Sequence, residues 1–77
     1  MSSMKIAELS QRTGAPVATV KYYLREGLLP AGAPTAVNQA DYDDAHVRRV
    51  KLVRALVEVG RMTIAEVRQV LDAVGDD

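Results

Sequence analysis

Apolar residues recur at spacings of three and four in four separate stretches of this chain, the period of an amphipathic helix, and turn-forming residues divide the stretches. Ile6 and Leu9, with Thr13, mark a first helix over residues 5–13, which Gly14 stops. Val17, Val20 and Leu24 mark a second over 16–26. Pro16 suits its first helical position, where the missing N–H would be unpaired anyway, and Gly27 can take a left-handed cap. Those three apolar side chains point inward, which leaves Ala18, Thr19, Lys21, Tyr22 and Arg25 on the other sides. A third helix begins at an Asp43 or Asp44 cap, buries Val47, Val50, Val53 and Leu56 or Val57, keeps Arg48, Arg49, Lys51 and Arg54 outside, and ends at Gly60. A fourth, over about residues 63–73, opens with the capping box Thr63-Ile64-Ala65-Glu66 and carries Ile64, Val67, Val70 and Leu71. Residues 75–77 read as a frayed acidic tail.

Between the second and third helices the period breaks. Leu28-Leu29-Pro30 is apolar and extended, because Leu29 precedes a proline, and no helix tolerates Ala31-Gly32-Ala33-Pro34. The loose alternation from Val37 to Tyr42 predicts a small two-stranded hairpin over 28–42, with an irregular loop as the alternative. So short a hairpin must lean on the helices. A short helix, a tight turn at Gly14 and a second short helix make a helix-turn-helix, which projects its second helix outward. The fold class is therefore mainly α: a winged helix-turn-helix of about four helices with a β-hairpin wing, in one domain over residues 1–77.

Composition narrows the chemistry. The chain has 77 residues, 48% of them hydrophobic, with no Phe or Trp and three Tyr, so the core is small and aliphatic. A domain this size buries only about 60% of its unfolded surface. The absence of Cys removes disulfides, thiolate metal sites and thiol redox sensing. No apolar run approaches the roughly 18 residues of a membrane span, and the N-terminus runs straight into amphipathic sequence, so the expected location is cytoplasmic. The net charge is zero but divided: residues 1–54 hold eight Lys or Arg against five acids, a balance of +3, and residues 55–77 hold two against five, a balance of −3. Taken alone, that division reads as ordinary solvated helix faces.

Catalysis finds no support. His46 is the only histidine, has no nucleophile or metal partner near it in sequence, and reads as an exposed or helix-cap residue. Asp43 and Asp44 open a helix, where capping and the helix dipole explain them. No catalytic residue, metal ligand or cofactor is expected. The run Lys21-Tyr22-Tyr23 is more informative. Adjacent helical tyrosines point about 100° apart, so one stands outside: an exposed Tyr22 between Lys21 and Arg25 offers a phosphate a hydroxyl flanked by two charges, and Tyr23 is expected to pack against the hairpin.

Three stretches together resemble the N-terminal DNA-binding domain of the MerR family of bacterial transcription regulators. They are Lys5-Ile6-Ala7-Glu8-Leu9-Ser10-Gln11-Arg12-Thr13-Gly14, then Thr19-Val20-Lys21-Tyr22-Tyr23 with Glu26-Gly27-Leu28-Leu29-Pro30, then Tyr42-Asp43 with Leu56-Val57-Glu58-Val59-Gly60. The resemblance implies a winged helix-turn-helix whose dimers bind a pseudo-palindromic promoter site in double-stranded DNA, distort it and so act indirectly on RNA polymerase. It also implies a dimerisation helix and an effector domain, which are absent here, so the isolated chain is expected to be monomeric and the full-length regulator a homodimer. The residues that fall at DNA are Val17, Ala18, Thr19, Lys21, Tyr22 and Arg25 on the second helix, and Thr35, Asn38, Gln39 and Tyr42 in or beside the wing. Three departures stand out. Lys21 replaces the family's usual Arg, a point charge for a bidentate fork; Ala18 replaces a longer polar residue; and no Lys or Arg lies between Ala31 and Tyr42. Two other readings share the fold: a protein-interaction module whose acidic end docks a basic partner, and an excisionase-like architectural DNA binder.

Overall fold

The chain closes its helices with local polar contacts and then packs them around a core to which all four helices contribute. A computed structural model describes residues 4–36 and 39–74, with the side chains of residues 33–36 and 39 left out of the description. The order is α1 (Ile6–Thr13), α2 (Val17–Arg25), β1 (Ala33–Ala36), β2 (Gln39–Asp41), α3 (Asp44–Glu58) and α4 (Ile64–Val74). This is the expected mainly α winged helix-turn-helix. Asn38 and the tail 75–77 lie outside the described residues.

The turn between α1 and α2 is built from hydrogen bonds that its own residues supply. Gly14 adopts φ 75°, its N–H donates to the Ser10 carbonyl, and the Thr13 hydroxyl donates to the Leu9 carbonyl while accepting from the Ala15 N–H. Pro16 is the residue before the helix rather than its first turn, with an extended ψ of 151°. At the other end Gly27 has φ 76°, the Leu28 N–H reaches the Tyr23 carbonyl at 2.9 Å and the Gly27 N–H reaches the Leu24 carbonyl at 3.2 Å. That is a Schellman closure, and it needs a residue without a Cβ penalty. Leu28 and Leu29 then turn straight into the core instead of starting a strand.

The hairpin is accordingly shorter than 28–42. Its two strands pair antiparallel, with Ala33 opposite Asp41 and Ala36 opposite Gln39, and a register irregularity between Pro34 and Ala36. Met4 adds a third strand position through two backbone hydrogen bonds with Tyr42, of 2.8 and 2.7 Å. The sheet's base is thereby sewn to the N-terminus. Gly32 passes so near that a Cβ there would stand 2.7 Å from the Tyr42 ring.

Leu9, Val20, Leu28, Val50, Val53 and Val67 are the largest fully buried side chains, with Met4, Tyr23, Tyr42 and Leu71 around them. The stripes read from sequence are the buried ones on α3 and α4. The end of α3 differs in detail, since Arg61 takes the left-handed conformation at φ 54° while Gly60 lies against the Leu56 carbonyl. Thr63 and Glu66 form the expected capping box: the Thr63 N–H donates to Glu66 at 2.8 Å and the Glu66 N–H donates to the Thr63 hydroxyl at 3.1 Å.

Candidate nucleic-acid interface

Nine residues make up α2, and their exposure follows the helical period. Val20 and Tyr23 are buried, Val17, Thr19 and Leu24 half-buried, and Ala18, Lys21, Tyr22 and Arg25 exposed. Inward packing thus falls on Val20 and Tyr23, with Val17 and Leu24 at the edges of the face. The exposed four form one stripe. The Arg25 guanidinium lies 5.6 Å from the centre of the Tyr22 ring, within cation–π range. Neither Lys21 nor Arg25 forms an ion pair with a described residue. Four cations elsewhere are committed within the fold: Lys5 to Asp41, Arg12 to Glu8, Arg54 to Glu58 and Arg68 to Glu26.

Tyr23 is buried, and Arg54 and Glu58 near the end of α3 act on its phenol. Burial raises its phenol above the ordinary tyrosine range, Arg54 opposes that shift, and Glu58 adds to it. Arg54 itself is not the free outer-face cation expected from the helical pattern. It is half-buried, pairs with Glu58, and its Nη1 donates to the Thr13 carbonyl at 3.4 Å, at the C-terminal end of α1. The helix-turn-helix is therefore braced from α3.

On the wing side the correction concerns Tyr42. Its ring is 8% exposed, stands edge-on to His46 with 5.0 Å between ring centres, and belongs to the core. It supports the wing from beneath rather than presenting itself beside it. Thr35 and Gln39 sit on β1 and β2, where only their backbone is described, and Asn38 lies outside the described residues.

His46 is the residue whose role sequence reasoning understated. It is a cap residue as expected, but it is buried rather than exposed. Its Nε2 lies 3.0 Å from the Pro30 carbonyl, and its Nδ1 lies 3.2 Å from the Asp43 N–H and 3.1 Å from the Asp43 carboxylate, so Nδ1 accepts from the first when unprotonated and donates to the second when it carries a proton. Asp43 caps α3 by accepting from the Ala45 and His46 N–H groups. The signal was present as Asp-x-x-His, a capping-box spacing with histidine in the place of Glu. The His46 side chain and then its N–H hold the Asp43 carboxyl below the usual carboxylate range.

Among the described residues no cluster of three His, Cys, Asp or Glu side chains is placed to hold a metal ion, and no helix is long and apolar enough to cross a membrane. The arrangement is that of a helix displayed with two uncommitted cations, a phenol and small side chains. Comparison with known proteins agrees with that reading of the fold. Residues 4–74 match the family described as MerR HTH family regulatory protein. The nodulation protein NolA of Bradyrhizobium elkanii is 37% identical over 68 residues, which cover 88% of this chain and 31% of NolA. The chain thus spans about a third of the length of that relative. The crystal structure of SCO5550 from Streptomyces coelicolor A3(2) superposes with a TM-score of 0.78 at 51% identity, over 96% of this chain and 31% of the other. HiNmlR, a MerR family regulator lacking the sensor domain and bound to promoter DNA, superposes with a TM-score of 0.84 over 99% of this chain and 58% of the other; at 22% identity this likeness speaks for the fold alone. The family match takes in the helix-turn-helix, the hairpin and the closing helix pair, and the chain belongs to the MerR helix-turn-helix family of regulatory proteins.

Proposed function

We propose that this chain is the sequence-specific, double-stranded-DNA-binding domain of a MerR-type transcription regulator, with α2 entering the major groove and the hairpin acting as its wing. The observation that carries the proposal is the exposed stripe of α2, where Lys21 and Arg25 flank Tyr22 on one face and have no acidic partner among the described residues. Lys21, Tyr22 and Arg25 meet phosphates; Ala18 and Thr19, with Val17 at the helix start, lie nearest base edges. Because the stretch from Ala31 to Tyr42 carries no Lys or Arg, wing contacts to phosphate run through neutral groups: Thr35, Asn38, Gln39 or backbone amides. One such module makes few contacts, so two copies on paired half-sites complete the site and RNA polymerase responds indirectly, through the distorted promoter.

Titration against duplex DNA at several salt concentrations tests the reading. Lys21→Ala is expected to lower the slope of log affinity against log salt by about one and to weaken all sequences alike, whereas Thr19→Ala alters preference between sequences more than slope. Unchanged slope and affinity in Lys21→Ala would take α2 off the DNA. Retained partner binding after loss of both Lys21 and Arg25 would favour the protein-interaction reading instead.

A further inference from the structure

Arg68, on α4, reaches the far end of α2. Its Nε donates to the Glu26 carbonyl at 2.8 Å and its Nη2 to the Glu26 carboxylate at 2.6 Å, across 42 positions of sequence. That carbonyl belongs to the last turn of α2, where no helical N–H is available to it, and it sits at the negative end of the helix dipole. One guanidinium therefore satisfies an orphan acceptor and a charge on the same residue. A planar fork on two acceptors fixes an orientation that a single ammonium contact cannot.

Leu28 and Leu29, buried just after Glu26, anchor the closing turn of α2 in the core, but they do not tie it to the polar face of α4. α2 packs chiefly on α1, and α4 packs chiefly on α3. Between α4 and the loop after α2 lies an open cleft of about 320 Å³, bordered by Gly27, Leu29, Arg49, Leu71 and Asp72 beside Arg68 itself. Among the described residues, the Arg68–Glu26 contact is the only polar tie from α4 to the closing turn of α2. The N-terminal side of α2 is held separately, by the Thr13 and Ser10 hydrogen bonds and by Arg54.

We propose that Arg68 is a positioning residue for DNA reading: it sets the axis of α2 from its C-terminal end and makes α4 part of the recognition unit, without touching DNA itself. The proposal rests on the assignment of α2 to the major groove. A helix that loses this brace at its closing turn is freer to tilt, and a tilt spoils short base-edge contacts before it spoils long-armed phosphate contacts. Loss of Arg68 should therefore fall on specific binding first.

The test compares Arg68→Ala, Glu26→Ala, their double variant and Arg68→Lys with the wild-type chain. Each is titrated, at several salt concentrations, against the duplex that the wild-type chain enriches from a random library and against a scrambled duplex, with circular-dichroism melts alongside. Arg68→Ala is expected to weaken the enriched duplex about threefold to tenfold, the range for a partly exposed, charge-assisted contact, and the scrambled duplex less, at unchanged salt slope. Arg68→Lys falls between, and the double variant is no weaker than Arg68→Ala alone, because Arg68→Ala already removes the one contact that Glu26→Ala breaks. A slope lowered by about one would make Arg68 a phosphate contact and overturn the proposal; so would equal losses on both duplexes, or additive single losses. Should Arg68→Ala melt below the assay temperature, Glu26→Gln keeps the carbonyl contact and is expected to show a smaller loss confined to the enriched duplex; no loss there overturns the proposal too. Lys21→Ala run beside these keeps the two ideas apart, since a normal Lys21 effect with a silent Arg68 removes only the positioning role.

Discussion

The recognition helix and the wing hang from the same core by different means. α2 is closed at both ends by contacts its neighbours in sequence provide, Gly14 and the Thr13 hydroxyl before it and the Gly27 closure after it, and only then is it braced by Arg54 and Arg68. The hairpin has two strands of four and three residues and an irregular register, and it is fixed from outside its strands: by Met4, near the other end of the domain, through backbone pairing with Tyr42, and by the Tyr42 ring set edge-on to His46 of α3. A short helix can carry most of its own specification; a short hairpin borrows it.

The comparison breaks most visibly at Tyr42. Truncating a buried aromatic ring removes its contacts and leaves a cavity, so Tyr42→Ala is expected to destabilise the domain by about 3 kcal/mol, a large part of what so small a fold possesses. Tyr42→Phe keeps the ring and should stay near wild type. Urea unfolding of the pair decides the matter; a midpoint unmoved by Tyr42→Ala would mean that the hairpin does not depend on the ring under it. A smaller effect sharpens the helical side of the contrast. Thr63→Ala removes the hydroxyl that accepts from the Glu66 N–H, and a loss of about 1 kcal/mol in thermal or urea melts is expected for a capping residue of this kind. No change there would show that this helix end does not rely on its cap.

The same contrast explains what could be read from the chain beforehand. The helices were legible because stop, start and stripe lie within a few residues of one another: Gly14, Gly27, the Thr63-x-x-Glu66 box, and valines at spacings of three and four. Tyr22 outside and Tyr23 inside followed from the 3.6-residue period alone. The hairpin's limits, the burial of Tyr42 and the neighbourhood of Tyr23 were not legible, because each depends on a partner 35 or so positions away, beyond any local signal. Arg54 and Arg68 belong to the same class. On a helical wheel both are solvent-facing cations, and only the tertiary fold brings them to Thr13 and Glu26.

The smallest expected effect concerns acidity, and it lies where the two regions meet. Asp43 follows the strand residue that pairs with Met4 and opens α3, and hydrogen bonds from the His46 side chain and N–H hold its carboxyl below the usual range. A carboxyl depressed in the folded state contributes stability that is fully present above its unfolded value, about 4, and that is lost as pH falls through the lower folded value. Wild-type stability should thus decline on acidification below about pH 4, and in Asp43→Asn the decline should be shallower, because that variant has no proton to take up at the position. The asparagine can still accept from the Ala45 N–H but not as a charged acceptor, so its neutral-pH midpoint should already be lower by about what the wild type loses at this position on acidification. Urea midpoints of both chains across an acid series measure the difference between the two slopes. Parallel pH profiles would mean that Asp43 is not held in its charged form by the cap, and that the junction between wing and α3 is maintained by the Tyr42 and His46 rings alone.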